Sequence, residues 1–96
     1  MKLIYCLHCE DVRKLTRKLT TCRCGRSYGK YAEDGLNAVY GGQAVPVGLT
    51  NESFMDALAN QPESGLGKCF VAFVIPVKCP TFKQVKSPHP RKQETQ

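Results

Sequence analysis

The chain contains no apolar run approaching the ~20 residues of a membrane-spanning helix. Its longest is CFVAFVIPV, residues 69–77. Before Cys6 it offers only Lys2 and LIY, far too little for the apolar centre of a secretory signal. Both absences lead to the expectation of a protein in the cytoplasm, with no membrane association, where cysteines bind metal more often than they form disulfides. Lys and Arg are missing from residues 32–67, which hold five acids. Histidine is scarce as well: only His8 and His89 occur. No internal repeat exists beyond two close cysteine pairs.

Ninety-six residues make one domain, small enough that a metal staple would help a modest core. The formal charge of +6 divides into +6 over residues 1–31, −5 over 32–67 and +5 over 68–96. A basic chain is drawn to polyanions, but an acidic middle argues against one undivided polyanion-binding face.

Cys6-x2-Cys9 and Cys22-x-Cys24 carry the strongest chemical signal. Zinc takes four soft ligands in a tetrahedron, and two turn-like knuckles each bring two thiolates to one point. The second pair has one intervening residue, so its knuckle is tight, and Gly25 relieves crowding there. Arg23 and Arg26 offset part of the charge of a zinc ion held by four thiolates. His8 is a neighbour of the site, with a ligand role as the alternative. Two disulfides could use the same cysteines, but nothing in the chain suggests secretion. A redox C-x-x-C pair lacks its usual βαβ setting. Four protein ligands leave no open position, so the expected role of zinc is structural.

Along the chain, KLIY and TT are expected as strands leading into Cys6 and Cys22. In the spacer, Val12, Leu15 and Leu19 are spaced as on a helix, while Thr16, Thr20 and Thr21 favour strand. The reading adopted is a short hairpin with Arg17-Lys18 near its tip. Residues 37–49 read as two short strands around Gly41-Gly42, with Pro46 at an edge or strand end. TNESFMDALANQP reads as a helix capped by Asn51 or Ser53, with Asp56 completing a box and Phe54, Ala57 and Leu58 on one face. Residues 69–76 are apolar on both alternations and read as a central strand covered on both sides, with Cys69 buried. Cys79 reads as a packed residue. The expected fold is α+β: a small four-cysteine zinc ribbon joined to a mostly antiparallel β-sheet with one packed helix. It spans residues 1–82, and residues 83–96 form a flexible basic tail.

For function, Arg13, Lys14, Arg17, Lys18, Arg23, Arg26 and Lys30 interleave with Tyr28 and Tyr31. Cations track phosphates and aromatic faces stack on bases, which suits a nucleic-acid partner. The competing reading is a solvated surface whose tyrosines pack on the knuckles. SGLGK, residues 64–68, lacks the earlier glycine and following helix of a phosphate loop. A helix start at Asn51 has amides for an anion, but Glu52 makes capping the simpler use. No convergent acid–base pair can be assembled, so an enzyme is not expected.

The N-terminal pattern resembles a zinc ribbon. NAVYGGQAVPVGLTNESFMDALANQP and FVAFVIPVKCPTF resemble segments of short uncharacterised zinc-ribbon-bearing proteins of phage and bacterial genomes. The resemblance covers residues 3–82. It implies one integrated fold and Cys6, Cys9, Cys22 and Cys24 as metal ligands. It also implies an accessory protein that inhibits a host factor or sequesters a host nucleotide messenger in the host cytoplasm. Residues Val45 to Phe54 would then be a candidate surface, and a homo-oligomer a candidate assembly.

Overall fold

A computed structural model describes residues 1–86. Eight strands and one helix follow in the order β1 (Lys2–Cys6), β2 (Val12–Lys14), β3 (Thr20–Thr21), β4 (Ser27–Tyr31), β5 (Ala38–Gly42), β6 (Ala44–Leu49), α1 (Asn51–Ala59), β7 (Ala72–Val74) and β8 (Phe82–Val85). The fold is α+β, and its strands make two four-stranded sheets rather than one, in the orders β2-β1-β6-β7 and β3-β4-β5-β8. All pairings are antiparallel except β5 with β8.

The spacer between the cysteine pairs is strand, as expected, but not a hairpin closed on itself. β2 pairs back on β1 and β3 pairs forward on β4, each across its own cysteine knuckle. Thr16 and Leu19 flank the bend at Arg17-Lys18 that carries the chain from one sheet to the other. Leu15 is buried there, so the apolar spacing in the spacer reports one core position rather than a helix face.

A second crossing occurs at Gly42-Gln43. The two strands expected around Gly41-Gly42 exist, yet they do not pair with each other. β5 lies between β4 and β8, and β6 lies between β1 and β7. Gly42 takes a φ of 72°, a region open to glycine at little cost, and this turns the chain between sheets. Pro46 therefore sits inside a central strand. It is tolerated because the ladder to β7 stops at Val47, and at Pro46 only the carbonyl is used, accepting the Ile75 amide at 2.9 Å.

The core is drawn from both sheets: Ile4 and Ala44 from one, Ala38, Tyr40 and Phe82 from the other, closed by Leu15 and Ile75. Phe82 is fully buried and meets Tyr40 edge-to-face at 5.0 Å. β8 thus carries the folded part past the boundary expected at residue 82. The rest of the expected tail, residues 87–96, lies outside the described residues.

The helix departs from expectation in its packing. None of its residues is buried. It is held at its margin by Phe54 against Phe70, ring centroids 4.8 Å apart, and by an ion pair between Asp56 and Lys68. Thr50 is the N-cap and makes no side-chain capping bond. Ser53 instead accepts the Val71 amide at 2.9 Å, and Asn51 accepts the Met1 amino group at 2.9 Å. The segment expected as a central strand is likewise different. Only residues 72–74 are strand, they lie at a sheet edge, and Cys69 is exposed. Its apolar character on both alternations does not reflect two covering layers, since every side chain from Cys69 to Pro76 except Ile75 is exposed. Cys79 is half-buried against the core, as expected.

Candidate metal centre

Each cysteine pair sits in the loop of its own hairpin, so the two sheets deliver two sulfurs apiece. In the first knuckle the Glu10 amide donates to the Cys6 carbonyl at 2.8 Å, and the Cys9 amide donates to Cys6 Sγ at 3.4 Å. In the second, the Gly25 amide donates to the Cys22 carbonyl at 3.1 Å, and the Ser27 amide donates to Cys22 Sγ at 3.3 Å. The residue after the second cysteine turns left-handed in both knuckles, with φ 63° at Glu10 and 81° at Gly25. Glycine is the natural occupant of such a position, and the first knuckle holds it with a glutamate.

The four sulfurs lie within 4.8 Å of one another. Cys6 and Cys24 sulfurs are 3.8 Å apart, and those of Cys22 and Cys24 are 3.5 Å apart. Four sulfurs at the ~2.3 Å of a zinc–thiolate bond would stand ~3.8 Å from each other in a tetrahedron, so the arrangement fits such an ion. All six cysteines are free thiols. His8 is exposed and is not among the clustered ligand groups.

The protonation chemistry points the same way. Burial opposes ionisation of Cys22, but the Ser27 amide and the neighbouring thiols outweigh it, lowering its pKa to about 6. Burial and the competing sulfurs of Cys22, Cys9 and Cys6 push Cys24 up to about 12. Cys6 also resists burial and is lowered, through the Ser27 hydroxyl and the Cys9 and His8 amides. The cluster gives up its first proton readily and its last with difficulty. A central cation removes that conflict by neutralising the sulfurs together.

One contributor carried no sequence signal. Asp11 bridges the knuckles: its Oδ2 accepts the Arg23 amide at 2.8 Å and Arg13 Nε at 2.7 Å, while its carbonyl accepts the Cys6 amide at 2.9 Å. The Arg13 guanidinium, then the Arg23 amide, hold its carboxyl below the usual range. A D-x-R pattern beside a knuckle is too short to announce this in advance.

The basic residues do not form one stripe. Arg13 is engaged with Asp11, and Arg23 and Arg26 are exposed around the second knuckle. Lys30 borders a small hollow of about 240 Å³ with Lys83. Tyr28 lies against Gly41, where a side-chain carbon would come within 2.5 Å of its ring. Lys14, Arg17 and Lys18 instead line an open groove of about 740 Å³ together with Tyr31, Asn51 and Met55. Arg17 is oriented there by Nε donating to the Glu33 carbonyl at 3.2 Å. Tyr31 accepts the Lys2 amide at 3.1 Å and lies 5.5 Å from Lys2 Nζ.

Among the described residues, no helix is long and apolar enough to cross a membrane. Comparison with protein-family models, with curated proteins and with solved structures finds no match to this chain.

Proposed function

We propose that the protein is a non-enzymatic, zinc-stabilised accessory protein whose two knuckle hairpins form a zinc ribbon and which binds single-stranded nucleic acid. The observation that carries the reading is the groove in which Lys14, Arg17 and Lys18 stand beside Tyr31. A cationic channel with an aromatic face tracks a phosphate backbone while a base stacks, without needing sequence readout. Zinc in this reading is held by Cys6, Cys9, Cys22 and Cys24. Its contribution is to lock the two sheets at the end where the spacer carrying Lys14, Arg17 and Lys18 begins and ends. Arg23, Arg26, Lys30 and Tyr28 lie away from the groove and add only general attraction.

The test is binding of a labelled oligonucleotide by fluorescence anisotropy across a salt series. With three cations on phosphates, log affinity should fall against log salt with a slope of about −2 for a single strand. Charge reversal at Arg17 and Lys18 should flatten that slope, whereas reversal at Lys30 should change it little. Absence of binding at low salt ends this reading. The alternative, an interaction protein acting on a host factor or nucleotide messenger, draws on a different feature: the apolar surface beside residues Val45 to Phe54.

A further inference from the structure

Four strand edges exist among the described residues; two carry charge and a third is very short. β2 bears Arg13 and Lys14, β8 bears Lys83, and β3 has only two residues. Charged or very short edges discourage pairing with another chain. β7 is the exception: no charged residue occurs from Cys69 to Val77.

The hydrogen bonding of β7 shows which backbone groups remain open. The Val71 carbonyl accepts the Thr50 amide and the Ile75 amide donates to Pro46, both at 2.9 Å. Successive residues of an antiparallel strand face alternate sides. Residues 71, 73 and 75 therefore face β6, and the amides and carbonyls of Ala72 and Val74 face outward. The side chains around this edge are apolar and uncovered: Phe73 is 49% exposed, Val74 68% and Val77 74%, with Phe70 and Val71 similar.

We infer that β7 is a homodimer interface, in which two copies of the chain pair antiparallel through this edge. The register that uses both open residues sets Ala72 against Val74 of the second copy and places the Phe73 backbone on the two-fold axis, its ring lying over Gly48 of β6. Two four-stranded sheets then become one of eight. Three observations select a second copy as the occupant. The segment is free of charge, so nothing like-signed meets across the axis. The five exposed side chains offer on the order of 100 Å² each, more than half of the ~800 Å² per partner of a stable interface. Residues 87–96, SPHPRKQETQ, hold none of the large apolar side chains (Val, Leu, Ile, Met, Phe, Tyr, Trp) that would cover this surface.

The experiment is light scattering coupled to size exclusion, with zinc content and circular dichroism measured on the same samples. The native chain should give about twice its 10.7 kDa. Val74→Pro removes an outward amide without touching the ladder to β6 and should yield a folded, zinc-loaded monomer. Val74→Lys, at a well-exposed position, should do the same and serves if the proline variant fails to fold. A native protein monomeric at about 100 µM, well above the micromolar end for interfaces of this size, overturns the inference. So does a dimer that survives both substitutions, or an open-ended series of larger species.

Discussion

The carboxylate of Asp11 reaches across from the first knuckle to the backbone amide of Arg23 in the second, at 2.8 Å. It accepts Arg13 Nε with the same oxygen. The residue touches no sulfur, yet it ties together the two loops that must hold their sulfurs at fixed separation. Outer residues of this kind typically govern metal affinity by 10–100-fold. Asp11→Ala should therefore weaken zinc retention by about that factor in a chelator-competition titration, with stoichiometry unchanged at saturating metal. Retention equal to the native protein would show that the bridge has no influence on the site.

Removing a ligand should act more severely. Cys22 is buried, and its sulfur accepts the Ser27 amide, so Cys22→Ser leaves three thiolates and a disturbed knuckle. Elemental analysis should fall from about one zinc per chain to well below that, because structural zinc sites need their full tetrahedral set. Chelation of the native protein should produce the same loss of ordered structure by circular dichroism. A fold that persists unchanged after metal removal would rule out the structural role.

Glu10 occupies a left-handed conformation, φ 63°, at the position where the second knuckle has Gly25. A non-glycine residue there costs on the order of 1 kcal/mol, partly offset by the greater freedom of an unfolded glycine. Glu10→Gly should raise stability by roughly 0.5 kcal/mol, seen as a higher denaturant midpoint at an unchanged slope. A lower midpoint would mean that the glutamate makes a compensating interaction.

Asp34 accepts the amides of Leu36 and Asn37, each at 2.9 Å, and the Asn37 side-chain amide at 2.6 Å. These bonds hold its pKa below the ordinary value of 3.8. A carboxylate depressed in the folded state stabilises above its unfolded pKa, and that contribution disappears as pH falls through the folded value. Native protein and Asp34→Asn should therefore differ in stability near neutral pH, the difference beginning to shrink as pH falls toward 3.8 and vanishing only below the depressed folded value. A difference that stays constant across that window would assign the effect to shape rather than charge.

Phe82 is fully buried against Tyr40, at the start of a strand that pairs parallel to β5. Phe82→Ala should cost about 3–5 kcal/mol by thermal or denaturant unfolding, the range for a large aromatic removed from a core. A loss under 1 kcal/mol would indicate that the C-terminal strand contributes little to the folded core.

What was readable in the residues was mostly local. The pairs Cys6-Cys9 and Cys22-Cys24 announced one site because knuckle geometry is set by a few adjacent residues. KLIY, TT and the helix from Asn51 followed from neighbouring propensities in the same way. Tertiary structure decided which strand pairs with which. Gly41-Gly42 reads as a hairpin turn but serves as a corner between sheets, since pairing depends on distant partners. CFVAFVIPV has the composition of a buried strand and lies mostly exposed at an edge, because composition reports what a segment would bury and not whether this chain supplies the cover. The scatter of Arg13, Lys14, Arg17, Lys18, Arg23, Arg26 and Lys30 into separate groups has the same origin. Twelve residues of spacer cross from one sheet to the other, and that crossing, invisible in spacing alone, gathers only three cations at the groove.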